Sequence, residues 1–291
     1  MTITASLVKE LRELTGVGMM ECKKVLVETD GDMQAAQDLL RTRGQAKAEK
    51  KAGRVAAEGV VIFAVADGAA ALVEVNSETD FVARDENFQG FAQQAADLIL
   101  ANKPADVDAL SAIEVGGKAF SEIRSDLVQK IGENVSVRRF EVIAPQGVVG
   151  SYVHGGRIGV VADVVGGDEE LARDIAMHIA ASAPVCISED DVPADDLERE
   201  RKILTEQALN EGKPAEIVEK MIEGRLRKHL AQITLVGQPF VKDPDVTVGK
   251  LLKDKGASVA SFVRFEVGEG IEKKEENFAE EVAAQVNASS S

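Results

Sequence analysis

Several residue types that define whole classes of protein are scarce in this sequence. The chain has two cysteines, Cys22 and Cys186, so disulfide-bonded scaffolds and four-cysteine zinc sites are excluded. Tryptophan is absent and aromatic residues make up 4% of the chain, which argues against a surface that binds single strands by base stacking. No window reaches the ~18 apolar residues that a membrane-spanning helix needs, and the N-terminal residues lack the apolar run of a signal peptide. We therefore expect a soluble protein of the cytoplasm.

Basic residues are also outnumbered, since 34 Lys and Arg stand against 50 Asp and Glu, for a net charge of −16. A chain this acidic repels phosphate groups, so we expect no direct binding to nucleic acid and none to a membrane surface. The 291 residues are enough for about two domains, and the apolar fraction of 45% is enough to build their cores.

The first 54 residues contain no proline and have the apolar spacing of three short helices separated by glycine-containing turns. The third of these helices is predicted to end at Gly44. The basic stretch that follows, from Lys47 to Arg54, is interpreted as a solvated helical extension or linker rather than a phosphate-binding patch. Residues 1–54 are therefore predicted to form a small helical domain.

Two later segments, 55–145 and 146–268, follow the same order of elements. Each begins with a predicted β-hairpin, continues into an amphipathic helix, and ends on the sequence Arg-Phe-Glu-Val, at 139–142 and at 264–267. We interpret the two segments as copies of one α+β unit, each with a small sheet and helices packed on one face.

The second copy carries an insertion at residues 193–231, predicted to be an antiparallel coiled-coil hairpin of two helices. This inserted hairpin either contacts another protein or a second copy of the chain, or only stabilises the body. Residues 269–291 are predicted to form a polar linker, one C-terminal helix and a tail. The apolar stripes predicted for the hairpin consist of Leu197, Leu204 and Ala208 on one helix and Ile217, Met221 and Leu226 on the other.

Sequence motifs of catalysis are missing. The chain contains no phosphate-binding P-loop, no His-Glu-x-x-His, no Cys-x-x-Cys and no Gly-x-Ser-x-Gly. The three histidines are scattered, and His154 is interpreted from the residues alone as a polar side chain beside a Gly-Gly turn. We therefore predict no enzyme activity, no catalytic residue, no metal site and no cofactor.

Two segments place apolar side chains where polar ones are expected. The polar stretch from Ser77 to Asp85 contains Phe81 and Val82. Either Phe81 or Val82 folds back on the next helix as a hydrophobic staple, or the segment anchors a partner protein. At the start of the second helix, Met19 and Met20 either cap a small core or form an adaptable docking surface.

These segments belong to a set of motifs that resembles the bacterial type of elongation factor Ts. The motifs occur in the family's order along essentially the whole chain: TGVGMMECKKVL at 15–26, ETDFVARDENF at 78–88, KIGEN at 130–134, HGGRIGV at 154–160 and FVRFEVGEGIEK at 262–273.

The resemblance implies a guanine-nucleotide exchange factor for the GTPase elongation factor Tu, which it would bind in the GDP-bound and nucleotide-free forms. The implied architecture is a ubiquitin-associated-like (UBA-like) three-helix domain, a core of two related subdomains, a coiled-coil hairpin and a C-terminal helical module. The alternative function is a scaffold that binds partners without exchanging nucleotide. Either a homodimer or a 2:2 complex is compatible with the inserted hairpin.

The resemblance also implies which residues contact the GTPase. Thr79 to Val82 would displace its magnesium ion, with Asp80 and Phe81 acting as a wedge near the phosphate site. The complete implied set consists of Thr79, Asp80, Phe81 and Val82 in this segment, Arg12, Met19, Met20 and Lys23 in the N-terminal domain, and Ile131, Gly132 and His154 in the core.

Overall fold

The computed structural model describes residues 3–66, 68–211 and 215–272 of the chain. In these residues the fold is mixed α+β, with N-terminal helices followed by small antiparallel sheets. The C-terminal helix predicted within 269–291, at 277–287, lies outside the described residues.

The N-terminal helices are α1 (Ala5–Thr15), α2 (Met19–Glu28) and α3 (Met33–Ala52). The side chains of Thr4 and Asp32 cap α1 and α3 by accepting hydrogen bonds from backbone N–H groups. The helices enclose a small core of their own, whose most buried members are Leu11, Cys22, Val25, Leu26, Ala36 and Leu40.

Helix α3 does not end at Gly44, and the prediction of that end was wrong. Gly44 is buried against α7 (Phe120–Ile131), where a Cβ at this position would lie 2.5 Å from Oε1 of Gln129. The glycine therefore permits a close approach of two helices and does not end one. The basic stretch after it is a helical extension, as predicted. Ala48 on this extension belongs to the apolar cluster that also contains Val73, Phe88, Phe91 and Val128, which we call the main core.

The first three-stranded sheet has the order β1-β2-β5. Its central strand, β2, is buried along its whole length, because α5 covers one face and the second sheet packs against the other. The elements of this part of the chain are β1 (Glu58–Ala66), β2 (Ala69–Ser77), α4 (Asp80–Ala83), α5 (Glu86–Asn102), α6 (Val107–Ser111), β3 (Glu114–Val115), β4 (Lys118–Ala119), α7 and β5 (Val135–Ile143).

The second three-stranded sheet repeats this arrangement, with the order β6-β7-β10 and a helix, α8, after its hairpin. In both sheets the second strand of the hairpin is central and pairs antiparallel with a strand that lies later in the chain. The remaining elements are β6 (Val148–His154), β7 (Ile158–Val165), α8 (Glu169–Ser182), a 3-10 helix (Glu189–Asp191), α9 (Ala194–Asn210), α10 (Ala215–Ile233), β8 (Pro239–Phe240), β9 (Asp243–Thr247), α11 (Val248–Asp254) and β10 (Ser258–Glu266).

The two sheets pack against each other through one shared apolar cluster, whose buried members include Val61, Leu72, Val161 and Phe265. A backbone hydrogen bond of 2.8 Å from the N–H of Val61 to the carbonyl of Gly156 joins the edge strand β1 to the turn of the second hairpin. The sheets are thus held together by apolar contacts and by direct main-chain pairing.

Helices α9 and α10 form the inserted hairpin. Oε2 of Glu211, just after α9, lies 2.9 Å from Nη2 of Arg225, while Glu200, earlier in α9, lies 3.9 Å from His229, later in α10. This pairing shows that the helices run antiparallel.

The apolar seam between these helices contains Leu204, Ala208 and the partly buried Leu226, as predicted. The assignment of Met221 to the seam was wrong, because the buried residues on α10 are its neighbour Ile222 and, one turn earlier, Val218. The side chain of Ile217 lies outside the described residues. The error arose because α10 carries apolar residues on neighbouring positions, so its sequence alone does not determine which of them face α9.

A histidine on α8 is buried between two hydrogen-bond partners. His178 is fully buried, its Nδ1 accepts a hydrogen bond from the N–H of Val241 (3.2 Å), and its Nε2 lies 3.0 Å from Oε1 of Gln238. The ring is therefore neutral, with its proton on Nε2, and burial lowers the pKa of His178 below its ordinary value.

We expect this histidine to make the free energy of unfolding fall as the pH drops from 7 to 5. Below about pH 6.5 the unfolded chain takes up a proton that the folded chain excludes, which costs up to about 1.4 kcal/mol per pH unit. Urea unfolding at pH 7, 6 and 5 measures the slope. In His178→Gln the slope should be smaller, because glutamine does not titrate. Equal slopes in the two proteins would contradict this origin.

Candidate interaction surface

The described residues hold no cluster of three or more His, Cys, Asp or Glu side chains that could bind a metal ion. Among the helices of that same part of the chain, none is long and apolar enough to span a bilayer. The features that need an explanation are exposed apolar side chains, and the largest of them is Phe81.

Phe81 lies on a single helical turn directly after the central strand of the first sheet. We call Thr79–Ala83, which is α4 with its capping residue, the wedge turn. The side chain of Phe81 is 80% exposed, whereas Val82 and Ala83 are each 8% exposed and belong to the main core. The staple interpretation is therefore wrong for Phe81, and it is Val82 that packs inward. One face of the wedge turn is thus buried in the core through Val82 and Ala83, and its opposite face presents the ring of Phe81 to solvent.

Polar contacts fix the backbone of the wedge turn. Thr79 caps the turn by accepting a hydrogen bond from the N–H of Val82 (3.4 Å). The N–H and the hydroxyl of Thr79 both donate to the carboxylate of Glu133, at 2.9 and 2.7 Å. Asp80 pairs with Arg84 at 3.0 Å on the exposed side. The turn is therefore ordered without any contribution from the Phe81 ring.

Glu133 belongs to the connection between α7 and β5, which also contains two predicted contact residues. Gly132 ends α7 with φ 89°, a conformation that favours glycine, and is exposed, while Ile131 is half-buried. The structure thus brings Ile131 and Gly132 next to the wedge turn. Glu133 and Asn134 were not singled out from the sequence, although both lie within the KIGEN motif.

The N-terminal helices present a second apolar surface. Met19 is 45% and Met20 is 78% exposed, so the interpretation in which they cap the small core is wrong, and Leu14 beside them is 62% exposed. Arg12 and Lys23 are exposed as well.

This N-terminal surface approaches the first sheet's helices. A Cβ at Gly16, in the turn before α2, would lie 3.6 Å from the side chain of Lys130, and the Lys130 ammonium donates to Asn87 at the start of α5 (2.6 Å). The turn between α1 and α2 therefore lies near the end of α7 and the beginning of α5, the two elements that flank the wedge turn.

His154 lies on the second sheet, at the end of β6. Its ring is exposed, and its Nδ1 lies 3.2 Å from the hydroxyl of Tyr152, the only tyrosine in the chain. Tyr152 is half-buried against the core of the second sheet, so only His154 of this pair is exposed at the end of the hairpin.

Comparison with known proteins identifies the family of the chain. The family described as "Elongation factor TS" matches residues 78–269. Elongation factor Ts of Thioalkalivibrio sulfidiphilus is 63% identical over 289 residues, covering 98% of this chain and 99% of the relative. The chain belongs to the elongation factor Ts family. Elongation factor Ts of Halorhodospira halophila, at 60% identity over 291 residues (99% of this chain, 100% of the relative), and of Legionella pneumophila strain Paris, at 55% over 288 residues (98% and 99%), extend the similarity.

As a member of the elongation factor Ts family, the chain is a translation elongation factor rather than an enzyme. The matched region begins at Glu78, the residue before the wedge turn, and ends at Glu269, just after the second sheet. Phe81 lies within this matched region.

The polar anchor of the wedge turn is expected to contribute to stability. Thr79→Val keeps the shape of the side chain but removes the helix cap and the hydroxyl bond to Glu133, so we expect the free energy of unfolding to fall by about 1 kcal/mol. Urea denaturation at pH 7 measures the change. Thr79→Ser retains the hydroxyl and should stay within about 0.5 kcal/mol of the wild type. Equal stabilities of the valine and wild-type proteins would show that the cap is not formed.

Proposed function

We propose that this chain is a guanine-nucleotide exchange factor that promotes release of GDP from elongation factor Tu during translation elongation. The observation that carries the proposal is the 80% exposed ring of Phe81 on a turn fixed by Glu133 and by its own buried face. Membership of the elongation factor Ts family supports it. A large apolar side chain held in water costs free energy that binding to a partner recovers.

Three groups of residues contact the GTPase in this proposal. Phe81 and Asp80 insert near its phosphate and magnesium site, the exposed N-terminal surface binds its nucleotide domain, and the core makes further contacts. The members are Thr79, Asp80, Phe81 and Val82 in the wedge turn, Arg12, Met19, Met20 and Lys23 in the N-terminal helices, and Ile131, Gly132 and His154 in the core. Within the wedge turn, Val82 acts from inside the fold, as the apolar anchor of the turn.

The free energy needed for exchange is larger than burial of Phe81 alone can supply. Accelerating GDP release ~10⁴-fold requires about 5.5 kcal/mol off the dissociation barrier, and burial of one Phe supplies roughly 1.5–3 kcal/mol. The remainder comes from displacing the magnesium ion, whose charge holds the phosphates of the nucleotide. Because binding of the two ligands is linked, the factor favours the nucleotide-free GTPase as much as it weakens GDP.

The domain organisation is part of the proposal. Residues 1–54 form the UBA-like domain, 55–145 and 146–268 form two related subdomains of the core, 193–231 form the coiled-coil insertion, and 269–291 form the C-terminal module. The common strand order of the two three-stranded sheets supports an origin by duplication.

A release assay tests the function. Elongation factor Tu loaded with fluorescent GDP is mixed with excess unlabelled GDP, with and without this chain, and the fluorescence decay gives the off-rate. The proposal expects a large acceleration. A stable complex with an unchanged off-rate would instead identify a scaffold. Light scattering on the same complex distinguishes a 1:1 from a 2:2 assembly.

A further inference from the structure

We propose that Glu133 is a positioning residue for nucleotide exchange: it holds the wedge turn in the orientation that presents Phe81 to the GTPase. This inference rests on the exchange function proposed above. It assigns to Glu133 no contact with the nucleotide or with the magnesium ion, because its carboxylate is occupied within the chain.

The geometry supports this role through one residue. Glu133 accepts two hydrogen bonds from Thr79, one from the backbone N–H (2.9 Å) and one from the hydroxyl (2.7 Å). Two bonds to one residue fix its orientation as well as its place, and charged acceptors form the stronger hydrogen bonds. Since Thr79 is the N-cap of α4, its orientation sets the direction of the turn and hence that of Phe81 two residues later.

A second contact runs in the opposite direction across the same pair of segments. Glu78, just before the wedge turn, accepts a hydrogen bond of 2.5 Å from the N–H of Asn134, just after Glu133. Arg54 lies 3.4 Å from the same Glu78 carboxylate. Glu133 and Asn134 of the α7–β5 connection are therefore bonded to the consecutive residues Thr79 and Glu78, and this fixes the register between the two segments.

The same connection is joined to the end of α3. The side-chain amide of Asn134 donates to the carbonyls of Ala52 (3.3 Å) and Arg54 (2.9 Å), and the Lys51 ammonium donates to the carbonyl of Gly132. These bonds fix the α7–β5 connection, and with it the wedge turn, to the end of α3. Helix α3 shares a core with the other N-terminal helices, which carry the second exposed apolar surface.

Phe81 needs such external support because its ring is 80% exposed and contributes little packing of its own in the free chain. A side chain that must enter a site as a wedge loses less freedom on binding when its backbone is already fixed. We therefore expect loss of Glu133 to lower the maximal rate of GDP release more than the affinity of the complex.

The test compares Glu133→Ala and Glu133→Gln with a matched control, Glu114→Ala, which removes an exposed carboxylate from the β3–β4 hairpin. Two quantities are measured at increasing factor concentration: the maximal rate of fluorescent-GDP release and the concentration that gives half of it. Glu133→Ala should lower the maximal rate about tenfold, as expected for loss of charged hydrogen bonds. Glu133→Gln, which keeps one acceptor oxygen, should fall between, and Glu114→Ala should match the wild type.

A double variant separates positioning from a general loss of structure. If Glu133 acts through the wedge, Glu133→Ala should cost little further rate in a Phe81→Ala background. Additive effects would overturn the proposal, and so would an unchanged rate in Glu133→Ala. If Glu133→Ala does not fold, Glu133→Gln decides by the same criteria. Failure of the exchange function itself is distinguishable, because wild type would then not accelerate release at all.

Discussion

Phe81→Ala should reduce stimulated GDP release by roughly ten- to a hundredfold, which corresponds to the 1.5–3 kcal/mol that burial of a Phe side chain supplies. The melting temperature of the free chain should change little, because the ring is 80% exposed and gives up almost no packing. Stopped-flow measurement of fluorescent-GDP release gives the first quantity, and circular dichroism during heating gives the second. A loss of exchange without a loss of stability is the combination that a wedge requires.

Val185→Ala serves as the matched control, since Val185 is an exposed apolar residue (76%) that the proposal does not use. It should leave both measurements unchanged. The combined variant Asp80→Ala with Phe81→Ala should lose more activity than Phe81→Ala alone, because it also removes the carboxylate that the proposed mechanism places near the magnesium ion. Full exchange activity in this combined variant would refute the wedge mechanism.

The largest effect on stability is expected at Glu74, on the central strand of the first sheet. Glu74 is fully buried and ionised, with Nη1 of Arg138 at 3.0 Å and Nε of Arg139 at 2.6 Å. The backbone N–H of Gly268, which follows the second sheet, donates to the same carboxylate at 2.8 Å. Burial alone would raise the pKa of Glu74, but these donors outweigh it and hold the pKa below its usual value.

Glu74→Gln should therefore lower the free energy of unfolding by about 3 kcal/mol, near the lower end for a broken buried ion pair because both arginines remain partly exposed. Urea denaturation at pH 7 measures the loss, and Glu141→Gln, an exposed carboxylate on β5, is the control. The difference from wild type should shrink as the pH falls below about 4.3, where the glutamate of the unfolded chain takes up a proton while the folded chain still excludes it, and should vanish once the pH is below the lowered pKa of Glu74 in the folded chain. Equal stability at pH 7 would show that the buried charge contributes nothing.

The two hairpins of the three-stranded sheets could be predicted from the sequence because their signals are local, whereas the short strands β3, β4, β8 and β9 were not predicted. The glycine turns at the hairpins and the alternating apolar residues around them set the bounds of β6 and β7. The continuation of α3 through Gly44 could not be predicted in this way. Its cause is the packing of α7, which lies far away in the chain and overrides a residue that costs a helix about 1 kcal/mol in isolation.

The residues of the candidate site likewise include some that local sequence signals identify and others that depend on contacts between distant segments. Phe81 could be singled out because aromatic residues are scarce and this one stands among polar neighbours. Glu133 could not, because it is one of 50 acidic residues and nothing local distinguishes it. Its role depends on a contact with Thr79 across 54 positions of sequence, which only the fold creates. The exposure of both Met19 and Met20 likewise required the packing of three helices to be known.

The placement of the inserted hairpin bears on how the chain folds during synthesis. The second sheet is completed by β10, which pairs with β7 although the whole hairpin lies between them in the chain. After β7 has been synthesised, the ribosome must still synthesise the whole hairpin before β10 exists to pair with β7. The first sheet therefore has all of its strands well before the second sheet does. The entropic cost of closing such a loop rises only with the logarithm of its length, about 0.6 kcal/mol per doubling. A long insertion at this point therefore delays the pairing of β10 with β7 during synthesis, while it lowers the stability of the completed sheet only slightly.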